Sequence, residues 1–70
     1  MTKKDMFDKL YEMYKEELND FFRFSQYAED NARNKIYERA SDKAFQKAQI
    51  LEKAIEELFG IDAYSLYFED

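Results

Sequence analysis

Apolar residues recur along the first part of the chain at the spacing of an amphipathic helix. When residues 3–28 are wound at about 100° per residue, one half of the wheel collects the large apolar side chains: Met6, Phe7, Leu10, Tyr11, Met13, Tyr14, Leu18, Phe21, Phe22, Phe24 and Ala28. The other half is polar, and Thr2 with Asp5 resembles a capping box. The pattern therefore predicts a long first helix over residues 3–28.

A polar segment, SQYAEDNARN (25–34), interrupts the apolar pattern. Its Ser, Asp and Asn side chains compete with the helix for backbone hydrogen bonds. We expect the turn to lie in this segment, with Asp30 or Asn31 capping the helix that follows.

A second apolar stripe predicts a helix over residues 31–59. Its members lie on one face: Ala32, Ile36, Tyr37, Ala40, Ala44, Ala48, Leu51, Ala54, Ile55, Leu58 and Phe59. Gly60 follows where a helix-ending glycine belongs, and Ile61 is placed for the accompanying hydrophobic contact. An alternative is a break near Ser41-Asp42 that would give three helices, although neither Pro nor Gly marks it.

The last ten residues, IDAYSLYFED (61–70), allow two conformations. Asp62 is placed to cap a last helical turn, whereas Tyr64, Leu66 and Phe68 alternate as in a short strand. Either form is apolar enough to dock on the helices, and both alternatives stay open.

These patterns predict an all-α fold in a single small domain over residues 1–70: an antiparallel hairpin of two long amphipathic helices plus a short C-terminal segment. The chain has no Pro and a single Gly, as expected of a helical protein. It also has no Cys or His for a disulfide or zinc staple. Because small scaffolds need such support, we expect a homodimer that completes a four-helix bundle. A three-helix bundle is the alternative.

Composition excludes several classes of function. Sixteen acidic residues against eleven basic ones give a net charge of −5, which argues against direct nucleic-acid binding. No apolar stretch is long enough to span a membrane, so we expect a cytoplasmic protein. Metal, cofactor and catalytic motifs are missing from the sequence, from Glu-x-x-His pairs to glycine-rich phosphate loops. We therefore expect no enzyme, no cofactor and no metal site.

Carboxylates recur every fourth residue in the first helix at Asp8, Glu12, Glu16 and Asp20, with Asp5 upstream. Basic residues recur likewise in the second helix at Lys35, Arg39, Lys43 and Lys47. Pairing them in an antiparallel hairpin gives residue numbers that add to 55 and centres the turn near residue 27 or 28. Because each stripe drifts around its helix, we expect the pairs Asp20–Lys35 and Glu16–Arg39 to form and the far pairs to fail. Lys47 drifts into the apolar face.

The remaining carboxylates suggest a function in binding. Asp5, Asp8 and Glu12, together with Glu16 and Asp20, form a candidate surface for a basic partner protein. A solvated helix face is the simpler interpretation of this acidic strip. Tyr64 and Tyr67 either anchor a partner or close the end of the bundle.

The sequence thus favours a small acidic helical module for protein–protein interaction. Its sharpest version is an inhibitor, of the mobile-element or anti-defence type, that presents an acidic face to a nucleic-acid-handling protein. The alternative is a structural or assembly subunit whose aromatic face serves self-association alone.

Overall fold

The computed structural model describes residues 2–30 and 34–69 and contains three helices in this part of the chain: α1 (Lys3–Asp30), α2 (Lys35–Phe59) and α3 (Ala63–Glu69). Helices α1 and α2 form the predicted antiparallel hairpin, and α3 packs on its side. The predicted all-α fold is therefore confirmed, and the third helix is formed by the C-terminal tail.

The N-terminus of α1 is the predicted capping box. The backbone N–H of Asp5 donates to Thr2 Oγ1 at 3.1 Å, and the backbone N–H of Thr2 donates to Asp5 Oδ2 at 3.3 Å. Two backbone donors that the first turn leaves unsatisfied are paired in this way.

Helix α1 continues to Asp30, through most of the segment predicted as a turn. Ser25 does not compete with the backbone, because its hydroxyl shares a 2.7 Å hydrogen bond with the hydroxyl of buried Ser41 on α2. Gln26 donates to Asp30 at 3.1 Å along the helix surface. Hydrogen bonds across the hairpin and along α1 therefore occupy these polar side chains, and the backbone of the stretch stays helical.

The cap of α2 lies further along the chain than predicted. Asn34 is the N-cap, and its side-chain oxygen accepts from the backbone N–H of Ile36 at 2.8 Å. Asp30 instead ends α1, and the other predicted cap, Asn31, lies outside the described residues. Helix α2 starts at Lys35 and runs unbroken to Phe59, so the alternative of a break near Ser41-Asp42 is wrong.

The C-terminus of α2 follows the prediction. Gly60 adopts the left-handed conformation with φ of 66°, and its N–H donates to the carbonyl of Glu56 at 2.8 Å. A glycine fits here because L-residues with a side chain are strained at positive φ. Ile61 then packs against the core, and the chain reverses into α3.

The core lies where all three helices meet. Its most buried members are Tyr11, Tyr14, Leu18, Ala48, Ile55 and Ala63, with exposures between 0 and 8%. Ala63 brings α3 into this cluster, and Leu66 and Tyr67 pack against it. The strand alternative for the tail is therefore wrong, and α3 covers one side of the hairpin.

The register of the hairpin differs from the one that the charges predicted. Residues in contact across it include Phe7 with Phe59, Tyr14 with Glu52, Phe21 with Phe45, and Ser25 with Ser41. The residue numbers of these four pairs add to 66 instead of 55, and near the turn Tyr37 contacts Phe24 and Tyr27 at sums of 61 and 64. Asp20 and Lys35 are consequently about 16 Å apart along the hairpin axis at 1.5 Å per residue.

Candidate interaction surfaces

The carboxylates of the predicted acidic strip are partly occupied by their own helix. Asp5 belongs to the capping box. Glu12 pairs with Lys15 at 3.0 Å, and Asp20 pairs with Arg23 at 2.7 Å. Each ion pair joins residues three apart on α1, where such pairs form readily on a helix surface.

The predicted pairs between Asp20 and Lys35 and between Glu16 and Arg39 do not form. Within residues 2–30 and 34–69, the ion pairs are local to α1. Exposed ion pairs contribute only about 0–1 kcal/mol, so they cannot set the register against the aromatic contacts of the core. Asp8 and Glu16 are exposed and make no ion pair in the described part of the chain, which leaves them as the accessible members of the strip.

The two tail tyrosines have different environments. Tyr67 packs against the core, donates its hydroxyl to Asn19 Oδ1 and lies beside the ring of Phe22. Tyr64 is 48% exposed and stacks edge-on against Phe68 at 4.8 Å. Tyr67 therefore closes the bundle, and Tyr64 presents half of its surface to solvent.

Asp62 fixes the start of α3. Its Oδ1 accepts from the backbone N–H of Ser65 at 3.2 Å, and its Oδ2 accepts from the Ser65 hydroxyl at 2.9 Å. These hydrogen bonds to Ser65 hold the pKa of the Asp62 carboxyl below its usual value. The carboxylate therefore stays charged beside the cleft that α3 helps to form.

Side chains on one side of α2 follow each other at steps of four and three residues: Glu38, Asp42, Phe45, Gln49 and Glu52. Such steps keep residues on the same helix face. Three of them, Phe45, Gln49 and Glu52, line a cleft of about 410 Å³ together with Asp62 and Tyr64 from the α3 segment. We call this side of the hairpin, where α3 docks, the covered face.

The covered face carries carboxylates that the sequence analysis did not single out. A second cleft of about 360 Å³ lies nearer the turn and is lined by Glu29, Glu38 and Asp42 around the buried Ser41. Among the described residues, the charged side chains lining these two clefts are all acidic. The four-and-three spacing on α2 was the signal that could have found Glu38 and Asp42, whereas Glu29 lies on α1.

Tyr14 anchors the cleft beside α3. Its side chain is 1% exposed, and its hydroxyl donates to Glu52 Oε1 at 3.0 Å. Burial raises the pKa of the Tyr14 hydroxyl far above its usual value, and the hydrogen bond to the Glu52 carboxylate raises it further. Tyr14 is thus a protonated donor that holds Glu52 at the cleft.

The opposite side of the hairpin, which we call the open face, exposes aliphatic side chains. Ile36, Ile50 and Leu58 on α2 are 74, 69 and 57% exposed, and Met6 and Met13 on α1 are 39 and 46% exposed. A cleft of about 390 Å³ lies between Met6, Leu10 and Leu58.

Basic side chains accompany these aliphatic residues. Arg39 and Lys43 line a cleft of about 540 Å³ with Ile36, and Lys47 lines a smaller one with Met13 and Ile50. Lys47 is exposed beside apolar neighbours, as the wheel predicted. Asp42 lines the cleft with Arg39 and Lys43 as well as the acidic cleft near the turn, so it lies at the border between the two faces.

Three further observations bear on function. The described residues contain no group of three or more carboxylate, His or Cys side chains arranged to hold a metal ion. None of the described helices combines the length and apolar character needed to cross a membrane. Comparison with protein-family models, curated proteins and solved structures finds no match to this chain.

Proposed function

We propose that this chain is a small acidic helical module that acts by binding another protein. The observation that supports the proposal best is the acidic lining of the covered face. Both clefts of the covered face are lined by carboxylates without a base among the described residues. Such a surface attracts a basic partner and raises the rate of association.

The contact surface of this proposal is broader than the predicted strip. It comprises the accessible carboxylates Asp8 and Glu16 of α1, the cleft carboxylates Glu29, Glu38 and Asp42, and the half-exposed ring of Tyr64. An aromatic ring beside charged groups is a favourable interface anchor. The activity is binding without a catalytic step.

The sharpest form of the proposal is an inhibitor of a nucleic-acid-handling protein. Rows of carboxylates on a helical surface can occupy the basic groove that otherwise holds phosphates. The net charge of −5 suits a basic protein partner and opposes direct contact with nucleic acid.

The test uses a fluorescent oligo-arginine peptide as a defined basic probe. Asp42→Lys should weaken its binding to the protein at low salt by about tenfold, which corresponds to about 1.4 kcal/mol. Glu57→Lys is the matched control, because it makes the same charge change on an exposed side chain of α2 that lines neither acidic cleft. Fluorescence anisotropy measures both affinities.

The predicted strip of α1 is tested in the same assay with Asp8→Lys combined with Glu16→Lys. If the reversed variants and the control bind the probe equally well, the acidic surface is not a recognition surface. Binding that does not weaken as salt is added would have the same consequence, because exposed charges are screened by salt.

Self-association is a second candidate function, and the exposed aliphatic residues of the open face favour it. Ile36, Ile50 and Leu58 lie on α2 away from α3, where the hairpin offers them little cover. An assembly subunit would use this face for contact with other copies.

A further inference from the structure

The open face has apolar ends and a charged middle on both helices. On α2 the face-sharing steps of four and three residues run through Ile36, Ala40, Lys43, Lys47, Ile50, Ala54 and Leu58. On α1 they run through Met6, Leu10, Met13, Glu17, Asp20, Phe24 and Tyr27. The middle of α2 is basic, and the middle of α1 is acidic.

The residues of the two series also lie side by side along the hairpin axis, and the charged ones at the same level are opposite in sign. In this hairpin, residues at the same level have numbers that add to about 66. The members of the series combine at sums of 63 or 64: Met6 with Leu58, Leu10 with Ala54, Met13 with Ile50, Glu17 with Lys47, Asp20 with Lys43, Phe24 with Ala40, and Tyr27 with Ile36. Large residues meet small ones at two of these levels, as interdigitated helix packing requires.

We propose that a second copy of this chain covers the open face, with α1 of each protomer lying on α2 of its partner. The inference deepens the second candidate function and rests on it. It names the occupant of the face and the orientation in which that occupant binds.

Charge selects this orientation over the other two-fold arrangement. When two identical hairpins stack with their turns at the same end, α1 of each lies on α2 of the other. Glu17 and Asp20 then meet lysines. When they stack with their turns at opposite ends, α1 lies on α1 and α2 lies on α2. Carboxylates then meet carboxylates, and lysines meet lysines. Opposed like charges at an interface suppress the wrong partner or register.

The open face is also large enough for such an interface. The molecule measures 45 × 20 × 17 Å, so the rectangle that encloses a face along its length covers roughly 770–900 Å². Stable interfaces bury about 800 Å² on each partner. Covering the face removes the most exposed aliphatic residues from water and leaves the acidic clefts of the covered face on the outside of the dimer.

Sedimentation equilibrium across protein concentration provides the first test. The chain should be dimeric, and Leu58→Glu should raise the dimer dissociation constant at least tenfold, because two charges enter an apolar interface per dimer. Phe68→Glu is the matched control, since Phe68 is also 57% exposed but lies on α3. Circular dichroism confirms that both variants keep their helices.

A cross-linking experiment tests the orientation, and it is simple to read because the chain contains no cysteine. Protein with Met13→Cys is mixed with protein carrying Ile50→Cys and oxidised. The proposed dimer yields the mixed disulfide, because Met13 of one copy faces Ile50 of the other. In the opposite orientation α1 lies antiparallel on α1 with its carboxylates at the centre, so Met13 does not face Ile50 of the other copy and the mixed disulfide would not form.

Three results would overturn the inference: a chain that stays monomeric at concentrations approaching millimolar, equal dissociation constants for Leu58→Glu and Phe68→Glu, or absence of the mixed disulfide between the Met13→Cys and Ile50→Cys chains. A monomeric result would leave the acidic proposal intact, because that proposal rests on the two clefts of the covered face. The two proposals therefore fail separately.

Discussion

The covered and open faces of the hairpin are built from the same two helices but differ in both packing and charge. On the covered side, α3 contributes Ala63, which is fully buried, and docks Tyr67 against Asn19. On the open side, Ile36 and Ile50 keep 74 and 69% of their surface exposed. The short helix α3 therefore makes the covered face part of the core. The apolar residues of the open face stay exposed to solvent.

The difference divides the apolar residues of α2 into a buried set and an exposed set. Residues such as Ile55 hold the monomer together, whereas residues such as Ile50 add nothing to its core. A stripe that is wider than one neighbour can cover is typical of a helix with two packing partners. The amphipathic pattern alone does not distinguish these roles, but burial in the structure does.

The largest expected effect on the free energy of unfolding comes from a substitution at Ile55, compared with the same substitution at Ile50 on the same helix. Ile55→Ala should lower the free energy of unfolding by about 2–5 kcal/mol, because it empties part of a fully buried site. Ile50→Ala makes the same chemical change at a 69% exposed position and should change it by less than about 0.5 kcal/mol in the monomer. Urea unfolding of dilute protein measures both.

The same two variants, measured at higher protein concentration, also test whether the open face is an interface. If the open face is an interface, Ile50→Ala becomes destabilising as the protein is concentrated, whereas the effect of Ile55→Ala is already present in dilute solution. Equal effects of the two substitutions in dilute protein would show that the faces do not differ as described.

A smaller effect concerns the Tyr14 hydroxyl on the covered face. Tyr14→Phe removes its hydrogen bond to Glu52 and should cost about 1.5 kcal/mol at neutral pH, as expected for a bond to a charged group. Urea unfolding at neutral pH measures the loss.

The same hydroxyl predicts a dependence on alkaline pH. Because the pKa of Tyr14 is raised in the folded state above its unfolded value of 10.0, the stability it contributes is complete below that pH and is lost as the pH rises further. The unfolding free energy should therefore fall more steeply above pH 10.0 for the natural chain than for Tyr14→Phe. The other five tyrosines are common to both proteins, so parallel curves would contradict the assignment.

Much of the fold could be predicted from local signals in the sequence. Apolar periodicity identified both long helices, and Thr2, Asp5 and Gly60 were correctly identified at their ends. Such features depend on neighbours within one turn of helix, and one sequence contains that information. Asp62 was recognised as a possible cap, but the choice between helix and strand needed the packing of Ala63.

The register could not be predicted, because it depends on contacts between distant residues. Matching charges every fourth residue gave a regular solution with sums of 55, but exposed ion pairs are weak. The structure follows aromatic residues seven apart, with Phe7, Tyr14 and Phe21 facing α2. Packing of large rings contributes more than surface charge, so rings are the better guide to the register of such a hairpin.

The candidate site was only partly predicted for the same reason. Asp8 and Glu16 could be recognised on α1, but Glu29, Glu38 and Asp42 come together across the hairpin. These three residues come together only in the observed register, which the charge pattern did not predict. A site that spans two helices can be found from sequence once the register is right.

The smallest effect tests whether α3 is what distinguishes the two faces. Gly60→Ala should cost about 1 kcal/mol, because Gly60 has φ of 66° and alanine is strained there. No heavy atom outside its chain neighbours lies within 4 Å of the added methyl group, so the cost comes from backbone conformation and not from a clash. Gly60→Asn is the matched control, since asparagine tolerates the left-handed conformation better.

Hydrogen exchange at the Leu66 amide, which donates to the carbonyl of Asp62 at 3.1 Å, reports directly on α3. Gly60→Ala should speed this exchange more than it speeds exchange in the centre of α2, because the strain lies at the junction that directs α3 onto the hairpin. Gly60→Asn should fall between Gly60→Ala and the natural chain. If alanine speeds exchange equally in both helices, α3 is not a separable cover, and the two faces owe their difference to the hairpin itself.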